Sequence, residues 1–145
     1  MLATNHALTG IIIGATLPLP VAIPVAFVSH FVLDMIPHFG IKKSKRNKSY
    51  KYKIIVFTDT IIALSLAVYA AYIGWWEIFW VGWVAYGPDA YWVYLYFKQN
   101  KSMNLKVTNK FAKFHESIQT ERWWGLFIEI PFAVTLFFVF LGLSQ

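Results

Sequence analysis

Three long runs of apolar residues constrain this chain most strongly, because each of them carries only one formal charge. The runs cover residues 54–76, 78–97 and 123–143, and their lone charges are Asp59, Asp89 and Glu129. About 20 apolar residues in a helix cross the roughly 30 Å hydrocarbon core of a bilayer. The sequence therefore predicts three transmembrane helices. A chain that is 58% apolar and 14% charged also departs from the composition of an ordinary soluble enzyme.

The N-terminal apolar stretch, residues 7–33, has no formal charge but is interrupted by Pro18, Pro20 and Pro24. Proline removes a backbone donor and obstructs the continuation of a helix. The sequence predicts a short helix over residues 7–17, a turn, and a second helix over residues 21–36. At 1.5 Å per residue these helices are roughly 16 and 24 Å long. They form either two short spans or a re-entrant hairpin.

The basic residues indicate the orientation of the chain. All 13 Lys and Arg residues lie between Lys42 and Arg122, in two connectors that follow the second and fourth predicted helices. Cytoplasmic loops carry an excess of Lys and Arg, so both connectors are predicted to be cytoplasmic. We expect them to contact anionic lipids. Because the charges are confined to loops between apolar runs, nucleic acid is not an expected partner.

The second basic connector contains apolar residues at spacings of three and four, namely Val107, Phe111, Phe114 and Ile118. Lysines fall beside them on another face, a pattern typical of an interfacial amphipathic helix. A partly ordered linker is the alternative. The predicted fold class is all-α: a polytopic integral membrane protein with an N-terminal hairpin, three transmembrane helices and an interfacial helix. We expect residues 1–145 to form a single membrane domain with no separate soluble domain.

Eight ionisable residues lie in or beside the apolar segments, all in the predicted cytoplasmic half. They are His6, His30, Asp34, His38, Asp59, Asp89, His115 and Glu129. Ionisable groups inside membrane spans are costly and usually functional. Each alone is also compatible with a hydrogen-bonded core residue. Together, imidazoles and carboxylates at one depth predict a site for a divalent metal, with zinc first and manganese or iron as alternatives.

The spacing His30-x3-Asp34-x3-His38 makes this prediction more specific. His30 and Asp34 lie one helical turn apart on the same face and can share an ion. His38 would lie about 12 Å from His30 along the helix, too far to bind the same ion. The site is therefore predicted to hold one or two ions, and with two ions Asp34 lies between them or bridges them. Two metal ions about 3.5–4 Å apart are typical of enzymes that hydrolyse phosphoesters.

Several motifs resemble the membrane-bound, inner-membrane-associated metal-dependent hydrolases. The matching segments are Asn5-His6-Ala7-Leu8-Thr9-Gly10, Ser29-His30 with Asp34 and Pro37-His38, Asp59, Pro88-Asp89, Phe114-His115-Glu116-Ser117-Ile118-Gln119, Trp124-Gly125 and Glu129. More distantly, His30-x3-Asp34 is similar to a motif of zinc-dependent phospholipase C in which the Asp bridges two zinc ions. The resemblance implies a bacterial inner-membrane location. It also implies metal ligation by His6, His30, Asp34 and His115, with His38, Asp59 and Asp89 as further candidates.

The expected function is hydrolysis of a phosphoester or related bond in a lipid or membrane-proximal substrate. A metal-bound water is the expected nucleophile. Asp89 or Glu129 is the candidate proton acceptor, and Arg122 or a second ion the candidate for stabilising developing charge. Two alternatives use the same features: a transporter of metal ions or protons, and a non-catalytic anchor that binds anionic lipid or a partner. The outer half carries only Glu77 and small hydroxyl groups, which favours a pocket closed at one end.

Overall fold

In the computed structural model, which describes residues 1–144, the chain is mostly helical, as predicted. The helices are α1 (Ala3–Thr16), α2 (Leu19–Met35), α3 (Lys43–Arg46), α4 (Tyr50–Tyr72), α5 (Trp76–Tyr86), a 3₁₀ turn (Gly87–Asp89), α6 (Ala90–Lys98), α7 (Lys110–Ile118) and α8 (Leu126–Leu143). Two short strands, β1 (His38–Phe39) and β2 (Glu121–Arg122), pair in parallel, with His38 opposite Glu121. This small bridge is the one departure from an all-helical description of residues 1–144.

The first helix, α1, lies at the centre of the fold and packs against α2, α4, α5 and α8. Its contact with α5 is the closest, because α1 has glycines where it meets α5 and no side chain separates the two helices there. A Cβ atom added to Gly10 would lie 2.6 Å from the Cβ of Ala85, and one added to Gly14 would lie 3.1 Å from the Cβ of Val81. Small residues at such spacing allow helix backbones to approach, as in membrane helix pairs.

The predicted N-terminal helical hairpin is confirmed as α1 and α2, although α1 begins earlier than predicted, at Ala3. Pro18 precedes the first residue of α2 and Pro20 lies in its first turn. At these positions a backbone N–H has no partner within the helix, so proline is tolerated. Pro24 lies inside α2 without ending it.

Two helices, α4 and α8, are long and apolar enough to cross a membrane, where the sequence predicts three. The third predicted span, residues 78–97, is not one helix but is divided into α5, the 3₁₀ turn and α6. The division falls at Pro88, because proline has no N–H for the carbonyl of Val84 and its ring crowds that carbonyl. In α8, large apolar side chains are exposed, and Phe127 is 79% exposed.

The segment from α7 to β2 folds back onto the end of α2. Asn109 caps α7 by accepting a hydrogen bond from the amide of Ala112 at 2.6 Å. After α7, the amide of Thr120 donates to the carbonyl of Asp34 at 2.9 Å, and β2 pairs with β1. These contacts place α7 beside α2, so the predicted interfacial helix is confirmed as a helix, with Val107 preceding it.

Candidate metal centre

Four of the predicted ligands lie together. His30, Asp34, Asp89 and His115 each offer one atom, and these atoms all lie within 4.8 Å of one another. Helix α2 supplies His30 and Asp34 from adjacent turns, the 3₁₀ turn supplies Asp89, and α7 supplies His115. The group therefore comes from three segments that are distant in sequence. Two nitrogen and two oxygen ligands can hold a divalent metal ion.

The distances between ligand atoms scatter around those expected for a tetrahedral ion. The Nε2 atoms of His30 and His115 are 2.9 Å apart, and they lie 3.3 and 2.7 Å from Oδ2 of Asp34. Oδ1 of Asp89 lies 3.7 and 3.8 Å from the same two nitrogens. With zinc–ligand bonds of 2.0–2.2 Å, neighbouring ligand atoms are about 3.3–3.6 Å apart. The observed distances bracket that range.

The protons available to a neutral group do not satisfy all of these contacts. Nδ1 of His30 donates to the carbonyl of Ala85 at 2.8 Å, so a neutral His30 presents a lone pair at Nε2. That lone pair faces Nε2 of His115 and an oxygen of Asp34. Nε2 of His30, Nε2 of His115 and Oδ2 of Asp34 are all close to one another. A single proton on Nε2 of His115 can form a hydrogen bond between only one pair of these three atoms. A cation at the centre makes every lone pair attractive, and the His30–Ala85 hydrogen bond then orients the ligand.

The group is buried except on one side. His30 and Asp34 have no exposed surface, whereas the side chain of Asp89 is 17% exposed. The ring of Trp92 packs 5.4 Å from that of His115, and its buried Nε1 has no hydrogen-bond partner among residues 1–144. Access to the group is therefore greatest at Asp89.

His6 lies against the other side of Asp34. Its Nε2 is 3.2 Å from Oδ1 of Asp34, and its ring stacks on His30 with the centroids 4.1 Å apart. The amine of Met1 also contacts Oδ1. Asp34 thus presents one oxygen to His30 and His115 and the other to His6. This division is compatible with the predicted bridging role, with His6 rather than His38 on the second oxygen.

The structure places His38 outside the group of four. Its Nδ1 donates to the carbonyl of Ile36 at 2.9 Å, and the residue is 3% exposed. Burial lowers the pKa of His38 from 6.5 to about 4, and the positive charge of the terminal amine acts in the same direction. His38 is therefore a neutral, buried residue at neutral pH.

Asp59 and Glu129 are also brought near the start of α1, where they accept hydrogen bonds from the backbone. Asp59 accepts from the amides of Ala3 at 2.6 Å and Thr4 at 3.1 Å. Glu129 accepts from Leu2 through Oε1 and from Phe39 through Oε2, the latter at 3.0 Å. The first amides of a helix have no partners within it, and negative charge is favourable there. Asp59 and Oε1 of Glu129 therefore cap the start of α1, whereas Oε2 of Glu129 accepts from Phe39 in β1.

Arg122, the predicted stabiliser of developing charge, is exposed and donates to the carbonyl of Glu121 at 3.1 Å. Gln119, which was not among the predicted ligands, also lies at the group. Its Nε2 lies 3.4 Å from both Oδ2 of Asp34 and Nε2 of His115. Gln119 follows His115 by four residues, so helical spacing alone was sufficient to find it.

No protein-family model, curated protein or solved structure matches this chain. The resemblance of its motifs to metal-dependent hydrolases therefore stays a prediction. The group formed by His30, Asp34, Asp89 and His115 is a candidate metal-binding group on its own geometry.

Proposed function

We propose that this chain is a membrane-embedded metal-dependent hydrolase that acts on a phosphoester or related bond of a lipid or membrane-proximal substrate. The observation that carries the proposal is the group formed by His30, Asp34, Asp89 and His115, whose ligand atoms lie within 4.8 Å of one another. The sequence motifs resemble those of metal-dependent hydrolases, and this resemblance indicates the same chemistry.

The membrane location is supported by α4 and α8, which are long and apolar enough to cross a bilayer. Their apolar side chains are exposed, as at Phe57 and Phe127, which are 69% and 79% exposed. Contiguous apolar surface of this kind is rare on soluble monomers. We propose that α5 and α6 together form a third, interrupted span. The proposed location is the bacterial inner membrane, with both basic loops in the cytoplasm.

We propose zinc as the ion, with manganese or iron as alternatives, because the donor set is two imidazoles and two carboxylates. A bound divalent ion supplies a lowered pKa for a coordinated water and polarises a phosphoryl oxygen. Ala85 holds His30 in the orientation that directs Nε2 inward. Asp34 supplies negative charge at the centre. Asp89 lies on the accessible side, where its free oxygen can accept a proton from an incoming water.

The packing behind the group favours a hydrolase over the transporter alternative. From the level of His30 and Ala85 towards the start of α2, the helices α2 and α5 close on a cluster of small side chains. This cluster consists of Ala22, Ala26, Val81 and Ala85, each 0% exposed. It offers no polar side chain to an ion moving from His30 towards the opposite membrane face. The apolar packing on this side of His30 therefore supports a hydrolase site and not a path for ions across the membrane.

The test measures metal content and phosphoesterase activity on the full chain in detergent. Purified protein is loaded with zinc, dialysed, and analysed for metal per chain, and then assayed with a phosphodiester probe and with phospholipid. We expect about one zinc ion per chain and hydrolysis that chelation abolishes. His115→Gln should lose zinc and activity together.

His38→Gln is the matched control, because it removes a second buried histidine that lies outside the group. It should retain zinc and activity. Equal zinc loss in both variants would remove His115 from the site. Zinc binding without hydrolysis, accompanied by zinc uptake into proteoliposomes, would replace the hydrolase with the transporter.

A further inference from the structure

Helix α7 has two chemically different faces. Its inner face carries Ala112 and His115, each 1% exposed, and His115 contributes to the metal-binding group. Its outer face carries Phe114, which is 55% exposed, and Phe111, which is 45% exposed, lies at the border between the two faces. Lys110 and Lys113 are also exposed, and neither forms an ion pair among residues 1–144. The helix thus presents a metal ligand inward and paired aromatic and cationic groups outward.

The attachment of α7 to the rest of the fold is uneven. Residues 99–109, which precede it, form no regular helix or strand. The ring of Phe31 in α2 lies 6.0 Å from Phe111, 5.9 Å from Phe114 and 5.5 Å from His115. At the far end, Glu116 pairs with Lys43. A helix of nine residues is too short to be stable in isolation. Its order therefore depends on what covers its two faces.

The charge of the neighbouring surface favours one class of partner for the outer face. Every Lys and Arg of the chain lies between residues 42 and 122, and seven of them lie in residues 42–53. That basic connector leads into α4, one of the two helices able to cross a membrane. Exposed Phe side chains with Lys side chains on the adjoining face are typical of helices that lie on an anionic leaflet. Charge complementarity selects anionic phospholipid headgroups as the partner.

We propose that the outer face of α7 binds anionic phospholipid headgroups, and that this contact orders α7 so that His115 completes the metal-binding group. The inference rests on the proposed function, because it treats the group as a metal site in a membrane protein. It adds a regulatory property: the ion is held most tightly when the protein lies in an anionic leaflet.

The coupling follows from the position of His115 on the face opposite the lysines. Adsorption of α7 fixes its backbone as a helix and directs the inner face towards α2. The free energy of the lipid contact then offsets the entropy cost of ordering α7. Metal binding at His115 therefore does not have to offset that cost, and the metal binds more tightly. His30 and Asp34 belong to α2 and need no such ordering. The lipid effect should therefore act through His115 alone.

The experiment uses the full chain in nanodiscs of phosphatidylcholine, with or without phosphatidylglycerol. Zinc affinity is measured by competition with a chromophoric chelator, and amide hydrogen exchange is followed across residues 110–118. One lysine near an anionic leaflet contributes about fivefold to binding. We expect zinc to bind about 5- to 25-fold more tightly with phosphatidylglycerol present. Exchange across α7 should slow under the same condition.

Lys110→Gln/Lys113→Gln should abolish most of this lipid dependence. The matched control is Lys45→Gln/Lys48→Gln, which removes the same charge from exposed positions of the other basic connector and should retain most of it. Equal zinc affinity in both lipids, or equal effects of the two double variants, would overturn the inference. If zinc binds with this lipid dependence but nothing is hydrolysed, the proposed function fails alone. If zinc does not bind at all, lipid-independent exchange in α7 would overturn the inference as well.

Discussion

The close contact between α1 and α5 makes Gly10→Ala a demanding test of the structure. The added methyl carbon would lie 2.6 Å from the Cβ of Ala85 and 2.9 Å from the Cα of Gly82. Non-bonded carbon atoms rest about 3.5–4.0 Å apart, so the two helices must separate by about 1 Å. Overpacking of this size typically costs about 1–3 kcal/mol.

The same displacement affects the metal-binding group, because Ala85 also orients His30. The His30–Ala85 hydrogen bond is 2.8 Å long, and lengthening by about 1 Å would take it beyond hydrogen-bonding distance. Loss of a partner that orients a metal ligand lowers metal affinity by about 10- to 100-fold. Gly10→Ala should therefore reduce both stability and zinc affinity, although neither Gly10 nor Ala85 offers a ligand side chain.

A graded series measures this effect. Thermal unfolding in detergent and chelator competition are compared for Gly10→Ala, Gly14→Ala and Gly142→Ala. At Gly14 the closest approach of the new methyl is 3.1 Å, and at Gly142 no atom lies within 4 Å. The expected order of damage is Gly10, then Gly14, then Gly142, which should be unaffected or slightly stabilised because alanine favours helix. Wild-type stability and zinc affinity in Gly10→Ala would refute the proposed packing.

Three further outcomes are expected. Asp34→Asn should lose most bound zinc, measured as metal per chain. Asp59→Asn should retain zinc but unfold at a lower temperature, because the Asn side chain has only one oxygen to accept hydrogen bonds from the two helix amides that donate to Asp59. Glu129→Gln should retain zinc but lose about 1–3 kcal/mol of stability, because one backbone amide is left without an acceptor. A turnover lower by about 10²–10⁴ with normal folding would instead support the predicted proton-transfer role of Glu129. Because the pKa of His38 is lowered to about 4 in the folded chain, the unfolded chain binds more protons than the folded chain between pH 6.5 and 4. The free energy of unfolding should therefore fall by about 3 kcal/mol as the pH drops through that window. His38→Gln should lack this part of the pH dependence in unfolding titrations.

Much of the fold follows from local sequence patterns. Unbroken apolar runs predict α4 and α8, and the prolines at 18 and 20 predict the turn between α1 and α2. These patterns act over a few residues, so they can be recognised without knowing the rest of the chain. The division of the run at residues 78–97 is different. Its cause, Pro88, is local, but Pro24 does not end α2, so a proline alone does not tell whether a helix breaks.

The sequence by itself determined the types of group that form the site. His30 and Asp34 share one helical face at any tertiary arrangement, because their spacing is one turn. The burial of imidazoles and carboxylates in apolar segments required that they find partners. From this alone a metal-binding group was predictable, but its membership was not.

Only the tertiary structure decided which partner each group has. The central position of α1 brings the amides at its start to Asp59 and Glu129, so these two carboxylates accept hydrogen bonds from the backbone. The strand pairing that follows α7 brings His115 to Asp34, while His38, closer in sequence, lies outside the group. Depth in a membrane can be estimated from residue counts along each helix. The direction of a side chain around its helix, relative to four other segments, depends on packing across the whole chain.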